Sequence, residues 1–170
     1  MLCVIANLAI YITTQTRSMA SIKYLLLVLC VSLGTISRGQ IIEDPTTWKY
    51  EVKKKSATEY ELIFHLDVKA GWHIWSMHPG GDGYEISPSF TFDKNANVTL
   101  KGEAKEKGKA TTTTMEGIDG KITYLSGKID YIQTVTVKGK GRITGKHTYQ
   151  VCNDKLCLPP KDKDFVFVIK

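Results

Sequence analysis

Two thiols, Cys152 and Cys157, stand five positions apart in "YQVCNDKLCLPPKD" (Tyr149–Asp162). A pair at that spacing can staple a loop, help to clip a metal, or cycle between dithiol and disulfide. The staple is a modest stabiliser. Closing so short a loop removes about 2 kcal/mol of unfolded-state entropy, against about 3 for a fifteen-residue loop. Structural zinc asks for four ligands, usually from two paired motifs, and here there is one cysteine pair. His147 lies an odd number of residues from Cys152, which on one strand turns it to the other face. His65, His73 and His78 are scattered. The exchange chemistry asks for an accessible sulfur, and the local residues suit that. A strand ending at Val151–Cys152, a turn through Asn153-Asp154-Lys155 and a return at Leu156–Cys157 would bring the two Cα atoms within about 4.5–5.5 Å. Pro159 and Pro160 donate no backbone hydrogen bond, so the returning segment is expected at a sheet edge. No helix N-terminus stands by to lower a thiol pKa. All three uses remain open on spacing alone.

The elements that must position this pair read as strands. In "ATEYELIFHLDVKA" (Ala57–Ala70) the residues Tyr60, Leu62, Phe64, Leu66 and Val68 share one face, the period-two pattern of a half-buried strand. Further strands are expected in Trp72–Met77, Ser89–Asp93, Asn97–Ala104, Lys121–Val137, Arg142–Cys152 and Asp164–Lys170. Turns are explicit at His78–Gly83, Asp93–Asn97 and Lys138–Gly141. No segment shows a helical period and there is no internal repeat. The pattern predicts an all-β, immunoglobulin-like β-sandwich. A long threonine-rich connection is expected at Lys107–Gly120, and loops of that length inside a domain are often functional.

Composition bounds the rest. Residues 1–39 hold three basic residues and no acidic one, with the short apolar run "KYLLLVLCVSLG" (Lys23–Gly34). That run is too short to span a membrane and reads as a secretory signal peptide cleaved near Gly39, with Met19 a second candidate start. Cys30 has no small residues before it, so it does not read as a lipid-attachment site. The remainder, 40–170, forms one expected domain carrying 20 basic and 17 acidic residues. A net charge that mild gives no reason to expect nucleic acid as a partner. "EVKKK" and "KGEAKEKGK" intersperse glutamate and read as solvated strands and turns. The two cysteines left after cleavage would meet an oxidising compartment, and they allow one intramolecular pairing.

"YQVCNDKLCLPP" resembles the active-site segment of the amino-terminal periplasmic domain family of the thiol:disulfide interchange protein DsbD. "GWHIWSMHPG" (Gly71–Gly80), "SPSFTF" (Ser87–Phe92) and "GKITYLSGKIDYIQTVTV" (Gly120–Val137) resemble strands of the same family, in order, over residues 45–170. The resemblance implies an exchangeable disulfide on a hairpin, covered by a cap loop that moves aside when a partner docks. It assigns Cys157 to the mixed disulfide and Cys152 to resolution. It places the cap within Thr114–Lys121, with Met115, Glu116, Ile118 and Asp119, and Ile118 standing where the family usually has an aromatic tip. The acidic pair Glu116 and Asp119 would raise a nearby thiol's pKa. Trp72, His73, Trp75, Tyr149 and Pro159 are expected to line the site. The implied partners are a thioredoxin-like electron donor or membrane electron-transfer protein on one side. On the other are oxidised periplasmic thiol–disulfide proteins, cytochrome-maturation thioredoxins among them. The implied protein is a periplasmic monomer needing no cofactor and no metal. The other class of function open to the chain is a secreted immunoglobulin-like binding module whose disulfide only stiffens a loop.

Overall fold

A computed structural model describes residues 44–83 and 85–170. The expected signal peptide lies outside the described residues. Nine strands follow one another: β1 (Thr46–Lys54), β2 (Glu59–Val68), β3 (His73–Gly80), β4 (Ser89–Phe92), β5 (Val98–Thr113), β6 (Ile122–Val137), β7 (Gly141–Tyr149), β8 (Val151–Cys152) and β9 (Lys161–Ile169). They form two antiparallel sheets, with no helix among the described residues. The fold is the expected all-β, immunoglobulin-like sandwich.

The larger sheet is organised by β6. One edge of this 16-residue strand pairs first with β3, through Leu125 and Tyr124, and then with β2, from Lys128 to Thr136. Its other edge pairs with β5 along nearly its whole length. β1 extends the sheet beyond β2, and β8 extends it beyond β3. The second sheet is β4-β7-β9. The alternation read in β2 is the alternation found: Tyr60, Leu62, Phe64, Leu66 and Val68 all enter the core. They meet Ile143 and Tyr149 of β7, and Phe165, Phe167 and Ile169 of β9. Phe64 stands edge-on to Phe165 and Phe167, with ring centroids 4.9 and 5.0 Å away, an arrangement the aromatic quadrupole favours. At Gly145 a Cβ would collide with the Thr91 carbonyl oxygen and the Phe165 ring. Only glycine lets β4 lie this close to β7.

His147 is fully buried in this core. It lies on β7, in the other sheet from Cys152 on β8, so the offset along one strand does not apply, and its Nε2 lies 2.9 Å from the Tyr50 hydroxyl. Burial, helped by the nearby Lys163 charge and opposed by Asp162, pushes its pKa down to about 4. Asp44 ties the chain's entry to β7 by accepting from the Tyr149 hydroxyl at 3.0 Å and the Thr46 hydroxyl at 2.6 Å. Burial raises its pKa, but hydrogen bonds from Thr46, Tyr149 and Lys163 outweigh that and hold it at about 2.

Two expectations about elements are corrected. The first half of the connection expected at Lys107–Gly120 is strand. β5 continues to Thr113, and Thr111, Thr112 and Thr113 pair with Tyr124, Thr123 and Ile122. Threonine is polar enough to read as loop, yet its branched Cβ favours the extended chain. The loop shrinks to residues 114–121. The other correction is β1, which was not among the expected strands. Trp48, Tyr50 and Val52 alternate inward against the core, but a lysine-rich ending masks that pattern in the sequence.

Candidate functional site: a disulfide at the sheet edge

The pair is closed: Cys152 and Cys157 form a disulfide. The hairpin that holds it is built from two kinds of bond. The Asn153 amide donates to the Leu156 carbonyl and the Leu158 amide to the Val151 carbonyl, each at 2.9 Å. These bonds flank the cysteines and leave them as a non-hydrogen-bonded antiparallel pair, the cross-strand position at which Cα atoms come closest. The Cα–Cα distance is 3.9 Å, shorter than the spacing expected from the hairpin alone. The turn itself is fixed by the Asn153 side chain, whose Oδ1 accepts from the Lys155 and Leu156 amides at 2.9 and 3.0 Å. Such an Asx turn is a standard use of asparagine. Gln150 secures the return by donating to the Leu158 carbonyl at 3.0 Å. The returning segment is the sheet's outer edge here, and neither Pro159 nor Pro160 pairs beyond it.

The two sulfurs occupy different environments. Cys152 is 2% exposed, whereas Cys157 is exposed beside Leu156, itself 51% exposed. The asymmetry follows from the sheet. In β3 and β8, Ile74 and Val151 face the main core, so His73, Trp75 and Cys152 must face the opposite side. There Trp75, Ile122 and Cys152 form a second, small buried cluster, covered by Met115, Ile118 and Tyr124. The connection 114–121 folds back over this face. Its Ile118 amide donates to the Met115 carbonyl at 3.2 Å, closing a turn. Ile118 also reaches Gly81, where a Cβ would lie 3.1 Å from its methyl group and where φ is +72°. Glycine there serves both the backbone and the close approach.

A groove of about 520 Å³ results, lined by the disulfide, His73, Trp75, Met115, Glu116, Ile118 and the hairpin from Asn153 to Leu156. A second depression of about 430 Å³ lies on the other side of Ile118 and Cys157, with Glu85, Ile86 and Gln150. Ile118 lines both depressions and stands between them. Burial lowers the His73 pKa, with Asp154 opposing. Among the described residues no group of three or more His, Cys, Asp or Glu side chains is placed to hold a metal.

Seven of the expected site residues therefore come together: Cys152, Cys157, Met115, Glu116, Ile118, His73 and Trp75. Four lie elsewhere. Asp119 is on the cap loop but outside the groove lining. Trp72 packs on the main core, and Tyr149 is buried in it, bonded to Thr46 and Asp44. Pro159 is exposed past the hairpin. Trp72 lies just before β3, and Tyr149 ends β7 of the second sheet, a strand that gives the groove no residue. Conversely, the floor residues Tyr124 and Ile122 were not anticipated, although "ITY" places both on the face opposite Leu125. Nor was Glu106, which sits in a stretch that reads as solvated. It accepts from the Ser76 hydroxyl and, at 2.8 Å, from the Met77 amide. Those bonds satisfy the backbone where β3 shifts register after Trp75.

Comparison with known proteins agrees with this geometry. The model of the family "Thiol:disulfide interchange protein DsbD, N-terminal" matches residues 38–169. Curated protein sequences give no significant match. Among solved structures, the N-terminal periplasmic domain of ScsB from Proteus mirabilis aligns with a TM-score of 0.54 at 11% identity. The alignment covers 77% of this chain and 48% of that one, so the present chain spans about half the length of that relative. The reduced DsbD N-terminal domain of Neisseria meningitidis aligns at 14% identity over 72% of this chain and 90% of that one, with a TM-score of 0.40. The ScsB domain shares the fold; the family match carries the chemistry, which is thiol–disulfide exchange. With a disulfide on an edge hairpin under a cap, and a family match over all nine strands, the chain belongs to the family of N-terminal domains of the thiol:disulfide interchange protein DsbD.

Proposed function

We propose that residues 40–170, exported after removal of the leader, act as a periplasmic electron carrier through the Cys152–Cys157 dithiol/disulfide. A thiolate of a thioredoxin-like donor, or of a membrane electron-transfer protein, attacks Cys157. Cys152 departs with the bonding pair, leaving a mixed disulfide between Cys157 and the donor. The donor's second thiolate then attacks its own half of that bond and leaves the domain reduced. The reduced domain runs the same steps in reverse on an oxidised periplasmic thiol–disulfide protein, such as a cytochrome-maturation thioredoxin. Ile118 and Met115 shield the pair between encounters, and the cap 114–121 swings aside on docking. The domain acts as a monomer.

The observation that supports this reading is the unequal burial of the two sulfurs, with only Cys157 presented at the edge. Thiolate attack is selective for the sulfur it can reach. The experiment is to incubate the mature protein with a reduced thioredoxin-like donor and trap thiols by alkylation. Both cysteines should be alkylated after incubation, and Cys152→Ser should accumulate a mixed disulfide through Cys157. A pair that stays oxidised in a folded domain, with a potential below about −300 mV, would mark a structural staple instead.

A further inference from the structure

Cys152 is as buried as the core it adjoins, yet exchange requires a proton to arrive at or leave its sulfur. The thiolate is the reacting form of a cysteine, and burial among apolar groups disfavours it. Around Cys152 those groups are Trp75 and Ile122. At 2% exposure, Cys152 is largely closed to bulk water.

One titratable side chain is positioned to serve that sulfur. His73 is the direct antiparallel partner of Cys152 across β3 and β8. Paired residues project from the same face, with Cβ atoms about 4.5–5.5 Å apart, and both line the same groove. The ring is 6% exposed and held by Tyr124 and Trp75, at centroid distances of 4.4 and 5.2 Å. Its Nε2 is buried without a hydrogen-bond partner. Buried polar atoms are nearly always paired, so an idle nitrogen beside a closed disulfide calls for an explanation. A reduced Cys152, the cross-strand neighbour of His73, is a candidate partner that exists only when the disulfide is open. The other charged or titratable groups facing this ring are Asp154 and Lys155 of the hairpin, Glu116 of the cap and Tyr124 of β6. Asp154, Lys155 and Glu116 are exposed at the rim.

We propose that His73 is the proton-transfer partner of Cys152, an inference that rests on the exchange reading above. When the mixed disulfide at Cys157 is resolved from within, the neutral imidazole takes the thiol proton of Cys152. The Cys152 sulfur attacks the Cys157 sulfur, the bond from Cys157 to the partner breaks, and the partner sulfur leaves with the electron pair. The imidazolium then releases its proton to groove water. Opening runs in reverse: the imidazole takes a proton from groove water, the partner thiolate attacks Cys157, Cys152 leaves with the bonding pair, and the imidazolium so formed protonates it. Burial keeps His73 neutral at rest, the form a base requires.

The test needs no partner protein. Cys157 of the reduced chain is loaded with thionitrobenzoate, and its release by Cys152 is followed against pH. His73→Gln should slow release about 100-fold near neutral pH, within the usual range for a general base. The deficit should shrink as hydroxide takes over at high pH. An unchanged pH–rate profile in the folded variant overturns the proposal. Should His73→Gln fail to fold, NMR titration of the His73 ring in the unaltered chain decides. Its midpoint should differ between the oxidised and reduced forms, and coincident titrations overturn the idea. Failure of protein donors to reduce the disulfide, with thionitrobenzoate release still dependent on His73, would strike the carrier reading alone.

Discussion

The two apolar clusters lie on opposite faces of one sheet and are closed by different means. The larger is sealed by a second sheet, whose Phe165 and Phe167 interlock with Phe64. The smaller, around Trp75, Ile122 and Cys152, is closed by Met115 and Ile118 of the loop 114–121, with Tyr124 of β6 beside them. A sheet-on-sheet seal opens only with the whole fold. A loop seal can open locally at a fraction of the global free energy. The molecule therefore separates a seal that holds with the whole fold from one that can open by itself, and it places the disulfide beside the second.

The largest effect that could break this comparison is in the sealed core. Phe64→Ala should cost about 3–5 kcal/mol in denaturant unfolding while leaving the rate of disulfide reduction in the folded protein unchanged. A faster reduction in native conditions would show that the clusters are coupled. Next is acid. His147 binds a proton less readily folded than unfolded, so its contribution is complete above about pH 6.5 and is lost as pH falls towards about 4. On the order of 3 kcal/mol should disappear across that window, and His147→Phe should flatten it. Asp44 has its own window, from about pH 4 down to about 2, where protonation removes the anchor to Tyr149 and Thr46. Smaller again is removal of the bridge. Changing both cysteines to serine should cost about 2 kcal/mol without unfolding the sandwich, as judged by thermal unfolding. Smallest in stability is Ile118→Ala, expected within about 1 kcal/mol. It should nevertheless speed attack on Cys157 by a small thiol, read by timed alkylation. An unchanged rate would mean that Ile118 covers nothing that matters.

The sequence was most legible where a side chain's partner lay on its own strand pattern. The alternation of Tyr60 to Val68 predicted both strand and core. The hairpin at Asn153–Lys155 and the edge at Pro159 were readable because turn chemistry and the missing proline amide are local. The cap was located through the family resemblance. What was lost needed knowledge of the opposite element. Thr111–Thr113 became strand because β6 was there to pair with it. Glu106 became a half-buried acceptor because β3 breaks register above it. Tyr149 and Trp72 were assigned to the site through the family resemblance, and the structure packs both on the sealed core instead.

The two backbone bonds that bracket Cys152 and Cys157 are independent of the sulfurs. They keep both side chains in register whether or not the sulfurs are joined. Reduction thus frees very little chain, and the Cys152 thiol faces any adduct on Cys157 at the effective molarity of a well-oriented intramolecular reaction, up to about 10⁵–10⁸ M in favourable cases. On the exchange reading proposed above, an adduct at Cys157 is short-lived, and a partner that fails to complete its own transfer promptly is expelled.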